Sequence, residues 1–187
     1  GAGFRERLGI PPGRPTLVHV GRIAHEKNID FLLRMFVRVV KLKPETMLVV
    51  AGEGPALEHC KSYVESLQLT ANVRFVGYLS RERELPDCYS AGDLFVFSSK
   101  TETQGLVLLE AMACGTPVVS TAYMGTADIV KPERGAHVAP DDEIGFANLV
   151  VELLDDPARR RAMSVEARNY AGTWSAGAMA SRMVELY

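Results

Sequence analysis

The stretch LFVFSSKTETQGLVLLEAMACGTPVVS, residues 94–120, shows which class of fold this chain adopts. It opens with the apolar run Leu94–Phe97, continues through a polar loop, and enters an apolar helical segment at residues 105–113. A glycine and a proline end that segment, and a second apolar run follows at Val118–Ser120. Two short apolar runs joined by a helix are typical of parallel strands in a sheet that helices cover on both faces.

The same alternation extends along the chain in both directions. Further apolar runs predict strands at residues 17–20, 47–51, 73–76 and 137–139. Helical spacing and capping residues predict helices at residues 29–40, 55–67, 84–91, 142–154, 157–170 and 175–187, with a turn at 125–128. We therefore predict a doubly wound, Rossmann-like α/β fold, with a parallel sheet flanked by helices in one domain over residues 1–187. Residues 1–15 are expected to be a linker or an N-terminal extension.

The composition is that of a globular protein and excludes several functional classes. The 187 residues are 47% hydrophobic and 24% charged, and 21 basic against 23 acidic residues leave a net charge of −2. This balance lacks the basic face that nucleic acids require and the polybasic patch that binds acidic lipids. Three cysteines in no close pair favour a reducing compartment, and no apolar run approaches the length of a membrane span. We expect a cytoplasmic protein with no nucleic-acid partner.

Polar residues follow the first predicted strand, where a doubly wound sheet binds its ligands. Gly21 permits a tight turn, and Arg22 and Lys27 place two cations beside a helix that Asn28 is suited to cap. This segment is either a phosphate site or a loop with solvated charges. His19, within the strand, is interpreted as a core or strand-end residue.

The second strand is followed by Gly52, Glu53, Gly54 and Pro55, a bare backbone that can approach a ligand closely. The segment is not a dinucleotide-binding fingerprint, because Leu57 stands where the third glycine is required. This disfavours an NAD-dependent oxidoreductase, and a simple strand-to-helix turn is the alternative interpretation.

The fourth strand is followed by two carboxylates of interest, Glu102 in the polar loop and Glu110 in the helix that Gly105 opens. The free N–H groups near residues 103–106 are suited to an anion. Glu110 has apolar neighbours on both sides in sequence, so we expect it to be buried and to need hydrogen-bond donors. Those donors are either a ligand's pair of hydroxyls or an arginine in the core.

Together these segments resemble the C-terminal, nucleotide-sugar donor half of a retaining glycosyltransferase of the GT-B fold, in the group 1 family. The resemblance covers the chain from about Leu17 to Tyr187. It is carried by the order and spacing of several motifs, the strongest being Glu102 followed at position 110 by a second glutamate. The matching segments are GR at 21–22, EKN at 26–28, GEGP at 52–55, FVG at 75–77, TETQGL at 101–106 and EAMACGTPV at 110–118.

The resemblance implies a role for each matching position. Arg22 and Lys27 would hold the donor's diphosphate, Glu102 would lie beside the hydroxyls of the transferred sugar, and Glu110 would accept from the ribose. The backbone of residues 76–79 would contact the edge of the base. Arg22, Lys27 and Glu102 are the expected catalytic residues. The full expected donor-binding set is Gly21, Arg22, Lys27, Gly52, Val76, Gly77, Leu79, Glu102, Thr103, Gln104, Gly105, Leu106 and Glu110.

The resemblance also implies which components the reaction uses. Two cations and a helix N-terminus stabilise a departing diphosphate, so no metal or other cofactor is expected, and the sequence has no D-x-D motif. The donor would be a UDP- or GDP-sugar, and the pair Thr103 and Gln104 slightly favours a UDP-glucose-like donor. The acceptor is not indicated. A glycosidase is rejected because Glu110 lies too deep in a helix and the family gives neither glutamate a hydrolytic role.

A GT-B enzyme also needs an N-terminal acceptor domain, for which this chain has no room. The start at Gly1 without a methionine suggests an excised fragment that does not transfer sugar alone. Contact with the inner face of a membrane would come through the missing half. Residues 175–187 would be a crossover helix whose apolar side chains could favour a homo-oligomer. The alternatives are a non-catalytic nucleotide-binding scaffold and a GT-B relative such as a nucleotide-sugar epimerase or a phosphorylase.

Overall fold

The computed structural model describes residues 1–175, which form an α/β domain with one sheet. The strands are β1 (Thr16–Val20), β2 (Met47–Ala51), β3 (Val73–Gly77), β4 (Leu94–Phe97), β5 (Val118–Ser120) and β6 (Ala136–Val138). The α-helices are α1 (Ala2–Arg7), α2 (Ile29–Leu42), α3 (Leu57–Ser66), α4 (Glu84–Ala91), α5 (Leu106–Ala113), α6 (Gly125–Val130), α7 (Glu143–Asp155) and α8 (Pro157–Gly172). A 3-10 helix, His25–Lys27, precedes α2.

The six strands are all parallel and lie in the order β3-β2-β1-β4-β5-β6. This confirms the predicted doubly wound sheet. The order reverses between β1 and β4, where Leu17 pairs with Leu94 and Val18 with Phe95. At such a reversal the connecting helices lie on opposite faces of the sheet, and a crevice is expected at the carboxyl ends of β1 and β4.

Two buried clusters hold the helices against the two faces of the sheet. On one face, apolar residues of α2, α3 and α7 pack on strand residues such as Leu17 and Val96. On the other, residues of α1, α4, α5, α6 and α8 pack on strand residues such as Val18 and Phe95. The central strands are buried on both sides, which explains why they appear in the sequence as continuous apolar runs.

The first fifteen residues pack against the domain rather than forming a linker. Phe4 and Ile10 are buried in the cluster that contains α4, and the terminal ammonium of Gly1 lies 3.1 Å from Oδ1 of Asp87. Arg5 also donates to the carbonyl of Ala91 over 3.0 Å. These contacts join the start of the chain to the middle and the C-terminal end of α4.

The prediction of a turn at 125–128 was wrong, because helix α6 begins at Gly125. The N–H of Gly125 donates to the carbonyl of Glu102 over 3.0 Å, so the helix start is fixed by a loop that is distant in sequence. The C-terminal helix expected over 175–187 lies outside the described residues, apart from Ser175. Within residues 1–175, no helix has both the length and the apolar character needed to cross a membrane.

Candidate functional site

A cleft with two compartments lies at the carboxyl ends of the central strands. The first compartment, of about 370 Å³, opens between the residues that follow β1, β2 and β3 and the helix α5. The second, of about 490 Å³, opens between the residues that follow β1 and β4. The compartments share Val20, Gly21, Arg22 and Val107, so the cleft is continuous across the point where the strand order reverses.

Reciprocal hydrogen bonds hold the loops after β1 and β4 together at the second compartment. The Nδ2 of Asn28 donates to the carbonyl of Ser98 over 3.2 Å, and the hydroxyl of Ser98 donates to the carbonyl of Asn28 over 2.9 Å. The hydroxyl of Thr101 donates to the carbonyl of Glu26 over 3.3 Å. These bonds place Lys27 opposite Glu102.

Asn28 supports α2 in a different way from the cap that was expected. It stands at the position before the helix, but its side chain makes no capping bond there. Its φ of 58° lies in the left-handed region, which asparagine tolerates better than most residues. The side chain is thereby free to reach across to the loop after β4.

Lys27 and Glu102 form an ion pair inside the second compartment. Their Nζ and Oε2 atoms lie 3.0 Å apart, and about a fifth of each side chain is exposed. Burial raises the pKa of Glu102, but the hydrogen bonds from Lys27 and from the backbone N–H groups of Gly105 and Gln104 outweigh it and lower the pKa below its ordinary value. The compartment therefore holds an ionised carboxylate beside a cation.

The N-terminus of α5 is partly occupied by the same carboxylate. The backbone N–H groups of Gly105 and Gln104 donate to Oε1 of Glu102, over 3.3 and 3.5 Å. Gly105 has a φ of +68°, and a side chain there would meet Ile129 of helix α6 at 2.8 Å. Glu102 thus holds the turn that begins the helix, and an arriving anion would compete with it for these donors.

Arg22 is the more accessible of the two predicted cations. Its side chain is 66% exposed and lies 4.0 Å from Glu26, a contact too long and too exposed to hold the guanidinium in place. It lines both compartments. Its charge is therefore available to a group that bridges them.

Glu110 lines the first compartment and has two protein partners there. Its Oε2 accepts from the hydroxyl of Tyr89 over 2.8 Å, and its Oε1 lies 3.6 Å from Nη2 of Arg81. Burial, together with this bond to Glu110, raises the pKa of Tyr89, so the phenol stays protonated and donates. The expectation that Glu110 is buried was wrong: its side chain is 31% exposed, because that side of α5 faces the cleft.

Gly52 and Gly54, which follow β2, are required because the loops after β1 and β2 pack closely against each other. A Cβ on Gly52 would lie 1.9 Å from the carbonyl oxygen of Gly21, and one on Gly54 would lie 2.1 Å from that of Ile23. The N–H of Ile23 donates to the carbonyl of Glu53 over 2.9 Å. Close backbone packing therefore explains the Gly-x-Gly spacing and brings both loops to the wall of the cleft.

The cleft contains some of the predicted donor-binding residues and not others. The residues that line it are Gly21, Arg22, Lys27, Gly52, Leu79, Glu102 and Glu110. Val76, Gly77, Thr103, Gln104, Gly105 and Leu106 are not among the lining residues. Gly77 supports the wall indirectly, because its carbonyl accepts from the N–H of Gly52 over 2.8 Å.

Several lining or supporting residues were not predicted as part of the site. They include His19, Arg81, Tyr89 and Thr101. Tyr78 also lines the cleft and lies within the stretch 76–79 whose backbone was expected to contact the base. Thr101 stands beside Glu102 and follows a strand, so its position in the chain could have suggested it. Tyr89 gives no such signal, because it belongs to helix α4 and reaches Glu110 only through packing.

The sequence model of the family described as "Glycosyl transferases group 1" matches residues 3–170. The chain belongs to this family. Among curated proteins, it is 37% identical over 193 residues to D-inositol 3-phosphate glycosyltransferase 2 of Catenulispora acidiphila, covering 98% of this chain and 45% of that protein. It is 30% identical over 192 residues to a GDP-mannose-dependent monoacylated alpha-(1-6)-phosphatidylinositol monomannoside mannosyltransferase of Corynebacterium glutamicum, covering 97% of this chain and 49% of that protein.

A solved structure of similar fold is sucrose-phosphate synthase from Thermosynechococcus elongatus. The TM-score is 0.86 with 31% sequence identity, and the match covers all of this chain and 48% of that one. The group 1 chain thus spans about half the length of each of these three proteins. The predicted Rossmann-like half of a GT-B fold agrees with this comparison.

No group of three or more His, Cys, Asp or Glu side chains that could hold a metal ion occurs within residues 1–175. The cysteines Cys60, Cys88 and Cys114 are free thiols. Burial raises the pKa of Cys88 to about 12 and that of Cys60 to about 11, so neither is an activated nucleophile.

Proposed function

We propose that this chain is the donor-binding half of a retaining glycosyltransferase that moves a sugar from a UDP- or GDP-sugar to an acceptor. The observation that carries the proposal is the continuous two-compartment cleft, with an exposed arginine where the compartments meet. A nucleoside diphosphate sugar has the same layout, with its negative charge between two uncharged ends.

The diphosphate is proposed to lie across Arg22 and Lys27. Arg22 is exposed and shared by both compartments, and Lys27 projects into the second. As the bond to the sugar breaks, negative charge grows on the diphosphate, and two nearby cations stabilise it. Lys27 would then exchange its carboxylate partner for phosphate oxygens, and the freed N–H groups of Gly105 and Gln104 would add donors.

The nucleoside is proposed to occupy the first compartment. Glu110 has four lone-pair sites on two oxygens, of which Tyr89 occupies one, so it can accept from two ribose hydroxyls. Tyr78 and Leu79, which follow β3, provide the wall against which the base would lie. Tyr78 is 71% exposed, so its ring is available for stacking.

Glu102 is proposed to be released for the sugar when the diphosphate engages Lys27. Its ionised oxygens then accept hydrogen bonds from the sugar's hydroxyls and hold the reacting carbon in place. The proposed step breaks the bond between that carbon and the diphosphate and forms a bond to the acceptor oxygen on the same face. The acceptor's proton passes to the departing diphosphate oxygen, which lies on the same face and gains negative charge as its bond to the sugar breaks. No metal is required in this proposal.

The acceptor would be bound by another domain, so transfer is not expected from this chain alone. One wall of a cleft neither excludes water nor positions an acceptor. Among the relatives, one is named for dependence on GDP-mannose, which keeps a GDP-sugar beside a UDP-sugar as the proposed donor. Contact with the inner face of a membrane, and self-association, remain expectations about the whole protein.

The proposal is tested by comparing a nucleoside diphosphate with its nucleoside by calorimetry. Arg22→Ala and Lys27→Ala are expected to weaken diphosphate binding by roughly tenfold or more and to leave nucleoside binding unchanged, because a charge-assisted contact is lost. Lys27→Ala should have the larger effect, since it also leaves Glu102 uncompensated near the phosphates. Arg161→Ala, on the exposed part of α8, is the matched control.

Equal losses for nucleoside and diphosphate would contradict the assignment and make these residues structural. If no variant changes binding of either compound, the cleft is not a nucleotide-sugar site. The chain would then be better described as a scaffold.

A further inference from the structure

The buried side chain of His19 lies at the cleft, and only one of its two ring nitrogens has a hydrogen-bond partner among the described residues. The residue is 1% exposed and lines the second compartment. Its Nδ1 lies 3.1 Å from the carbonyl oxygen of Val96, and its ring stacks on Phe97 at a centroid distance of 5.5 Å. Its Nε2 is buried and has no hydrogen-bond partner among the described residues.

The partner of Nδ1 determines what Nε2 can do. A carbonyl oxygen only accepts, so Nδ1 must carry the proton, and Nε2 of the neutral ring is then an acceptor. Burial and, to a smaller extent, the nearby charge of Lys27 lower the pKa of His19 to about 4, although the hydrogen bond to the carbonyl of Val96 raises it, so the ring is neutral at pH 7. A buried acceptor without a donor is costly, which favours a ligand that supplies one.

The surroundings of Nε2 identify the part of the ligand that reaches it. A Cβ on Gly21 would lie 3.7 Å from Nε2, so this nitrogen faces the glycine shared by both compartments. His19 itself lines only the compartment that contains Lys27 and Glu102. A lone pair repels phosphate oxygens and attracts hydroxyl groups, so a sugar hydroxyl fits this position and a phosphate does not.

We propose that His19 is a sugar-binding residue, whose Nε2 accepts a hydrogen bond from a hydroxyl of the transferred sugar. This inference rests on the proposed function. Lys27 lies close enough for its charge to act on the ring, and in the proposed function it pairs with the diphosphate while the sugar hydroxyl meets Nε2. The residue before the glycine turn would then help to select the sugar that the cleft accepts.

Two substitutions separate the two ring nitrogens. His19→Asn keeps a donor near the position of Nδ1 and removes the acceptor at Nε2. His19→Gln places an amide oxygen near the position of Nε2. The affinities of UDP, GDP, UDP-glucose and GDP-mannose are measured by calorimetry for the wild type and both variants, together with each melting temperature.

For the nucleotide sugar that the wild type binds, His19→Asn should lower affinity about five- to tenfold while leaving the matching nucleoside diphosphate unchanged. His19→Gln should recover part of that loss. For the wild type, the ratio of the affinity for the nucleotide sugar to that for the nucleoside diphosphate should stay constant from pH 8 to pH 6, because the imidazole ring of His19 remains neutral.

Three results would overturn the inference. Equal affinity of wild type and His19→Asn for the sugar nucleotide would make His19 a packing residue. A parallel loss for the diphosphate, growing as the pH falls, would make it a cationic phosphate ligand. Loss in both variants with a lowered melting temperature would make its role structural. Failure of the wild type to bind any of the four compounds would instead refute the proposed function.

Discussion

At the scale of single residues, several charged side chains of the cleft have partners within the chain. Lys27 is paired with Glu102, and Glu110 is paired with Tyr89 and lies near Arg81. Binding therefore exchanges partners rather than filling an empty set of charges. Substitution of the two glutamates should change diphosphate affinity differently. Only Glu102 forms an ion pair with a cation, Lys27, that is proposed to bind the diphosphate.

Glu102→Gln is expected to leave the affinity for a nucleoside diphosphate unchanged or to increase it by a few fold. The substitution removes a negative charge from the second compartment and frees Lys27. Glu110→Ala should lower the same affinity by about tenfold, because the ribose loses its acceptor. Calorimetry with the diphosphate alone measures both effects. Equal losses in the two variants would contradict the separate roles of the compartments.

The buried ring of His19 predicts a dependence of stability on pH. The pKa of His19 is about 4 in the folded chain and 6.5 in the unfolded chain. As the pH falls, this imidazole therefore takes up a proton in the unfolded state at a higher pH than in the folded state, which favours unfolding. The stability that this site contributes is present above pH 6.5 and is lost between pH 6.5 and 4, at about 1 kcal/mol per pH unit. Urea unfolding of the wild type and His19→Asn across this range measures it. Parallel curves for the two proteins would show that His19 does not titrate in this way.

At the scale of elements, the site depends on loops that pack backbone against backbone. Gly52 lies against Gly21, and Gly125 lies against Thr103, with a hypothetical Cβ 1.9 Å from a carbonyl oxygen in each case. The first contact joins the loops after β1 and β2, and the second joins helix α6 to the loop that carries Glu102. Substitutions at these glycines act on the cleft through the positions of whole loops.

Gly52→Ala is expected to destabilise the fold by about 2 kcal/mol or more, because the new methyl group meets a carbonyl oxygen and φ is +132°. Gly3→Ala is the control: Gly3 lies in α1 with no atom within 4 Å of the added carbon, so a gain of up to about 1 kcal/mol is expected. Chemical denaturation measures both. A Gly52→Ala protein as stable as the wild type would show that the two loops separate without cost.

The sequence predicted elements well where local pattern and burial agree. The central strands are continuous apolar runs because both faces are covered, and α4 has the predicted bounds, Glu84–Ala91. Helix α6 was missed because its six residues have little local helical pattern and its start is held by Glu102. The packing of residues 1–15 was missed because it depends on contacts with α4, more than 80 residues away.

At the scale of the whole molecule, the sequence predicted those site residues that come directly after a strand, because parallel strands bring their carboxyl ends to one edge of the sheet. Gly21, Arg22, Lys27 and Glu102 are such residues, and they line the cleft. The partners that set the electrostatics, such as Tyr89, come from elements that join the site only through tertiary packing, so no local pattern reveals them. In the proposed function, this chain would form one side of the cleft in which the reaction occurs.

The central claim is that this chain binds a nucleotide-sugar donor, and its most direct test is the melting temperature with millimolar UDP, GDP and ADP. A ligand that binds only the folded state at a hundred times its Kd adds about 2.7 kcal/mol of stability. For a domain of this size that raises Tm by about 5–10 °C. We predict such a rise with UDP or GDP, little with the matching nucleoside, and a rise about half as large or smaller in Arg22→Ala, whose diphosphate affinity is expected to be roughly tenfold or more weaker. No rise with any of the three nucleotides, in protein that melts cooperatively, would contradict the claim.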